Sequence, residues 1–260
     1  IQLFQDTAAK SIARNDANRS ASEHDSAAKK QLAARWLSEM APSDAKLIVS
    51  DDFDGDVLNT NLWTTLDDVT PIGGRVRLGK PNSLEHINTL KSRPYLLTRE
   101  QFTPADGAIT IMGTAEFETN FLNEYGGSFA VMTRADDTRG SGPTWEYSIL
   151  ERGIRANFWP AAWGQQHSLE VHEKPSPTSL SLLVAEGLEI NPEAREYFFK
   201  IVDDGQRVTL TIQDTRNPAI SKTVAVRTSP VLKSGLIGFE GCWGCPVWLD
   251  NVRIYRTSPD

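Results

Sequence analysis

The chain has 260 residues, 39% of them hydrophobic, and a formal net charge of −7. That length suits one large β-sandwich, or a smaller domain with an extension. No basic patch offers phosphate contacts, so nucleic acid is excluded as a partner. No run approaches the ~20 apolar residues that a membrane span requires.

Residues 1–46 carry 7 basic and 6 acidic side chains, and the remainder carry 20 and 28. The first 45 residues are rich in Ala, Ser, Asp, Asn and Lys and show no strand alternation. A weak helix is expected over Phe4 to Ile12. A second is expected from a Ser26 cap to Met40, with Leu32, Trp36, Leu37 and Met40 on one stripe and Pro42 as terminator. Residues 1–45 therefore read as a helical lead-in or linker, and 46–260 as the main domain. The stripe has three readings: a helix packed on the domain, the tail of a removed upstream region, or a protein-binding surface over residues 26–40.

From Lys46 the pattern is β. Leu47–Ser50 and Arg75–Leu78 are short strand candidates, with the Gly73-Gly74 turn before the second. Ile109, Ile111 and Phe117 alternate with polar residues, and Phe129 and Val131 continue the period of two. Glu146–Leu150 and Ser179–Val184 follow. Tyr197–Val202 and Arg207–Gln213 flank Asp204-Gly205, a two-residue hairpin signal. Thr223–Arg227, Gly235–Phe239 and Val247–Tyr255 complete the series. Many short strands separated by turn signals indicate an all-β sandwich or barrel.

Residues 155–173 hold Trp159 and Trp163 around a Pro-Ala-Ala loop, with Gln165 and His167 beyond. Sugars present C–H faces to aromatic rings and hydroxyls to planar polar groups. An apolar wall with a few placed polar groups is the general recipe for a small-molecule site. These four residues, with an oligo- or polysaccharide as partner, form the candidate ligand site. Cys242-Trp243-Gly244-Cys245 has no second pair for a zinc ribbon and no βαβ setting for redox work, so it reads as a local disulfide or two loop thiols.

Two segments carry a family resemblance. The run Ser50-Asp51-Asp52-Phe53-Asp54-Gly55 with Leu58-Asn59-Thr60-Asn61-Leu62-Trp63, and the run Val247-Trp248-Leu249-Asp250-Asn251-Val252-Arg253-Ile254-Tyr255, resemble the opening and closing strands of concanavalin A-like jelly rolls. That superfamily includes laminarinase-type glucanases, laminin-G-like domains and 3-keto-disaccharide hydrolases. The resemblance implies an all-β, two-sheet antiparallel jelly-roll sandwich in which these two strands lie side by side. Trp63 and Trp248 are both expected in the core.

A third segment, Trp145-Glu146-Tyr147-Ser148-Ile149-Leu150-Glu151, is similar to the glucanase catalytic strand Glu-x-Asp-x-x-Glu. The resemblance implies Glu146 as nucleophile and Glu151 as acid/base, with Ser148 where the family has Asp. A retaining pair needs its carboxyl groups ~5–5.5 Å apart. On a regular strand Glu151 would point away from Glu146, so a bulge after Ser148 is required. Serine supplies a hydrogen bond but no charge, so this apparatus is incomplete. Likeness to the hydrolases also implies Arg134 as a ligand contact. No cofactor is required, but the resemblance implies a structural calcium on Asp250, with Asp52 from the acidic first strand.

Three functions follow, in this order: an extracytoplasmic carbohydrate-recognition domain, a glycoside hydrolase, and a laminin-G-type interaction domain. The chain opens on Ile1, so a missing secretory signal says nothing about export. Circular dichroism is expected to show a β-dominated spectrum, and a mainly helical one would sink the fold assignment.

Overall fold

The computed structural model describes residues 27–79, 94–118, 127–138, 150–161, 168–187, 195–242 and 246–258. The chain divides into two compact units, Ile1–Met40 and Ala41–Asp260. In the first, helix α1 spans 27–40 and buries Ala33, Trp36 and Leu37. Leu32 is 40% exposed, so the buried stripe runs through Ala33 instead. The expected cap Ser26 and the expected helix at Phe4–Ile12 lie outside the described residues.

The second unit is all β. Its strands are β1 (Ala45–Asp51), β2 (Trp63–Leu66), β3 (Val69–Ile72), β4 (Arg75–Leu78), β5 (Tyr95–Thr98), β6 (Ile109–Phe117), β7 (Gly127–Ala135) and β8 (Gly153–Ala161). There follow β9 (Ser168–Ser176), β10 (Ser179–Gly187), β11 (Glu196–Asp203), β12 (Arg207–Asp214), β13 (Ser221–Arg227), β14 (Leu236–Cys242) and β15 (Val247–Thr257). An eight-stranded sheet runs β13-β12-β11-β6-β15-β4-β3, with β1 also on β15. A seven-stranded sheet runs β10-β9-β8-β7-β14-β5-β2. The ladders are antiparallel throughout.

Period-two alternation decides what lies between the sheets. From the first sheet come Ile109, Ile111, Phe199, Ile201, Leu210, Leu249 and Ile254. From the second come Phe129, Val131, Ala156, Phe158, Leu169, Val171 and Phe239. Trp63 is fully buried against Phe53 and Phe239, as a core plug. Its Nε1–H donates to Asp51 Oδ2 at 2.7 Å, while Asp51 Oδ1 accepts the Phe53 amide at 2.8 Å. Asp51 thus satisfies the one polar atom that the buried indole brings inside.

Strand β15 has an unusual edge. One side pairs with β6 along its length, while the other is shared by β4 at Val247–Leu249 and β1 at Val252–Thr257. The handover falls at a register shift between Asp250 and Arg253, where Asn251 has φ 55°. The opening and closing strands are therefore neighbours, as their sequences imply. Trp248 is a correction: it alternates with buried Leu249 and so faces outward, half-buried beneath Arg75 and Arg77. Those guanidiniums lie 4.6 and 5.4 Å from the ring centroid and pair with Glu116 and Glu118.

Two turns show how local chemistry sets register. Gly73 and Gly74, at φ 61° and 76°, close the two-residue β3–β4 hairpin in a conformation that favours glycine. The β11–β12 loop has three residues, Asp204–Gln206, one more than expected. Asp204 Oδ1 accepts the amides of Gln206 and Arg207, which holds the extra residue.

The sheets are joined by charge as well as apolar contact. Arg134 at the end of β7 and Asp203 at the end of β11 are both buried and form a bidentate pair. Arg134 Nη1 also donates to the Leu232 carbonyl at 2.9 Å. A register shift between β7 and β14, with Arg134 at φ 52°, turns this side chain inward. The chain crosses it at Gly235, where a Cβ would stand 2.3 Å from the Arg134 carbonyl carbon.

Removing one partner of a buried pair strands the other charge. Asp203→Ala is expected to cost about 3–5 kcal/mol in urea unfolding. A joint apolar replacement of Arg134 and Asp203 is expected to cost much less.

Candidate functional site

The expected site residues separate when placed on the fold. Glu146, Ser148, Trp163, Gln165 and His167 lie outside the described residues, as does Cys245. Glu151 sits in the bend before β8 and donates its amide to the Thr138 carbonyl at 2.8 Å. Arg134 is not a ligand contact, because its guanidinium is committed to Asp203, Thr228 and Leu232 inside the sandwich.

The expected calcium residues, as placed, do not fit an oxygen cage. Asp52 is paired with Arg253 at 2.7 Å, and Asp250 Oδ1 accepts the adjacent Asn251 amide at 2.7 Å. Among the described residues no three His, Cys, Asp or Glu side chains converge on a metal position.

Trp159 leads to a different constellation. The segment 153–161 is strand, not loop, and Trp159 stands on it. In β8, Ile154, Ala156 and Phe158 enter the core, so Arg155, Asn157 and Trp159 face outward. In β9, Leu169 and Val171 point in, and Glu170 and His172 point out. Register sets one row across the outward face as Glu240, Ala130, Asn157 and Glu170. The next row runs Gly238, Met132, Arg155 and His172.

Glu170 is the hub. Its Oε2 accepts Trp159 Nε1 at 3.0 Å and contacts His172 Nε2 at 3.0 Å, while Oε1 accepts Ser168 Oγ at 3.1 Å. Burial pushes this carboxyl up. The opposing hydrogen bonds from His172 and Trp159, the His172 charge and the Ser168 hydroxyl outweigh it and hold the pKa at about 2. Glu170 is therefore an anion at any ordinary pH. It accepts hydrogen bonds and holds no proton to give.

One row inward, Arg155 Nε donates to Glu240 Oε2 at 2.7 Å, with both side chains nearly excluded from solvent. The small Ala130, itself fully buried, lies between Glu240 and Asn157 in the row. Arg155 Nη2, Asn157 Oδ1 and Ser128 Oγ are buried with no hydrogen-bond partner among the described residues. Such atoms cost about 1–3 kcal/mol each when left unmade. A polar ligand, or water standing in for its hydroxyls, is the natural way to satisfy them.

Sequence reasoning found Trp159 and missed Ser128, Arg155, Asn157, Glu170, His172 and Glu240. The signal was available in the apolar–polar alternation of Ile154–Trp159 and Leu169–His172, which Pro160 and the flanking tryptophans obscure.

No family model matches the sequence, and no curated protein matches it. Solved structures do. The exoplasmic/lumenal domain of VIP36 is 10% identical with TM-score 0.60, covering 83% of this chain and 95% of that one. The Bauhinia forficata lectin in complex with GalNAc is 10% identical with TM-score 0.55, covering 83% and 100%. The CBM2 module of the evolved Dit of Lactobacillus casei BL23 phage J-1 is 9% identical with TM-score 0.57, covering 84% and 98%. At such identities the likeness establishes the fold, which is the concanavalin A-like jelly roll.

Glu170 gives a pH signature. Its folded pKa lies below the ordinary 4.5, so the stability it contributes is present above about 4.5 and is lost as pH falls toward about 2. Glu170→Gln is expected to flatten the acid limb of the stability curve over that window, read by urea midpoints across pH. An unchanged limb would mean that the Glu170 hub does not form.

Proposed function

We propose that this concanavalin A-like jelly roll is a carbohydrate-recognising domain working outside the cytoplasm, with the sugar seated on the outward face of the seven-stranded sheet beside Trp159. One observation carries the reading. A half-buried indole, fixed through Nε1 by an ionised carboxylate, adjoins three buried polar atoms that lack partners among the described residues. A flat apolar surface next to unsatisfied donors and acceptors matches a sugar, which offers C–H faces and hydroxyls together. The Bauhinia forficata lectin and the phage CBM2 module, similar in fold, support the same class of ligand.

At the Trp159 face the state of Glu170 favours binding over hydrolysis. A retaining or inverting glycosidase needs one carboxyl that carries a proton for the leaving group. Glu170, held at about 2, accepts hydroxyl hydrogen bonds and cannot act as that acid. Among the described residues no helix is long and apolar enough to cross a membrane, which is compatible with a domain displayed outside the cytoplasm.

The test is a glycan panel, read by retardation in polysaccharide gels and by reducing-end release. Wild type is expected to bind at least one glycan without releasing product. Trp159→Ala should weaken that binding by about tenfold or more, which corresponds to roughly 1.4 kcal/mol. Failure of wild type to bind any glycan would overturn the reading. Release of product would replace it with a hydrolase.

A further inference from the structure

A cleft of about 390 Å³ opens where the ends of β5 and β7 meet the starts of β2, β8 and β14. It is a different place from the Trp159 face. Arg152, in the bend just before β8, lines it and lies seven residues before Trp159, on the order of 20 Å at ~3.3 Å per residue. The volume lies within the range of small-molecule sites, roughly 300–1,000 Å³.

The charges in this cleft are unevenly matched. Arg152 makes a bidentate pair with Asp136 at 3.0 and 3.2 Å, so these two neutralise each other. Arg99 does not share in this. Its Nε donates to the Trp63 carbonyl at 3.2 Å, which anchors the inner edge of the guanidinium. Its terminal nitrogens have no hydrogen-bond or ion-pair partner among the described residues. Asp137 also lines the cleft, and among the described residues it accepts only the Thr138 hydroxyl at 3.0 Å and has no ion-pair partner. Thr64, Thr98, Gln101 and Ser234 add uncharged polar groups to the lining.

We propose that this cleft is a second binding site, for a carboxylate-bearing sugar of the hexuronate type. An anchored guanidinium presents its remaining N–H groups as a fork, which fits a carboxylate in bidentate fashion. An ionised Asp137 is an acceptor only, and vicinal hydroxyls are the donors it takes. A phosphate fits worse, because two carboxylates line the cleft and Arg152 is already neutralised. A single carboxylate beside hydroxyls balances Arg99 without opposing Asp137. The proposal does not depend on the Trp159 face.

The experiment titrates the full chain with D-galacturonate, its methyl ester, D-galactose and glycine, followed by NMR shift perturbation. Galacturonate is expected to bind, with the ester and galactose at least about tenfold weaker. Arg99→Gln and Asp137→Asn should each weaken galacturonate by a similar factor. Asp137→Asn leaves the Arg99–Trp63 contact in place, so it carries the test if Arg99→Gln unfolds. Trp159→Ala should leave this titration unchanged, which separates the two sites. Equal binding of galactose, preferential binding of glycine, no binding, or indifference to both substitutions would overturn the assignment.

Discussion

A guanidinium and a carboxylate that both lie out of water stay charged only when each satisfies the other. Arg134 and Asp203 do this across the space between the two sheets. Much of the architecture follows from that demand. To aim Arg134 inward, β7 takes a bulge and a left-handed residue at its end. To let the chain pass behind it, position 235 must be glycine. The bulge inverts the parity of β7, so Met132 and Ala135 both leave the main core and join Tyr95, Leu97, Leu150 and Leu236 in a smaller apolar cluster. The same register fixes Ala130 between Glu240 and Asn157.

That outer face is built against the usual preference for keeping charge in water. Arg155 and Glu240 are desolvated together, which yields little net stability compared with an apolar pair of the same shape. What such a pair does provide is direction. Arg155 is held by its Nε, leaving a second nitrogen fixed and unused. Asn157 leans its amide toward Glu170 at 3.5 Å and leaves its carbonyl oxygen unused. Groups locked by neighbours need no ordering when a ligand arrives, which lowers the entropic cost of binding.

The sequence showed the sandwich well and the site poorly, for one physical reason. Alternation reports that a strand has two faces, and it does not report which face meets the other sheet. Val247–Tyr255 was legible as a strand and as the partner of the first strand. Trp248 was nevertheless placed on the wrong side, because an aromatic residue among charges can be roofed by arginines as easily as buried. The polar positions of β8 and β9 were equally visible as alternation. Their meaning depends on Glu240, some 70–85 residues away, arriving on the neighbouring strands' register. The candidate carboxylate Glu146 could be proposed from spacing alone, whereas Glu170 acquires its state only from the residues folded around it.

The divided edge of β15 bears on how the molecule is made. Strands β1, β4 and β6 each depend on one segment around residue 250, and β1 precedes its partner by about 200 residues, a large loop to close before any ladder forms. On a ribosome these three strands emerge long before that segment does. Until it is delivered, each carries an open edge of amides and carbonyls with apolar neighbours, the kind of surface that pairs with other chains. The nascent chain is thus committed to a long exposed interval, and a holding chaperone or slow local synthesis near the closing strand would matter more to its yield than the stability of the finished sandwich.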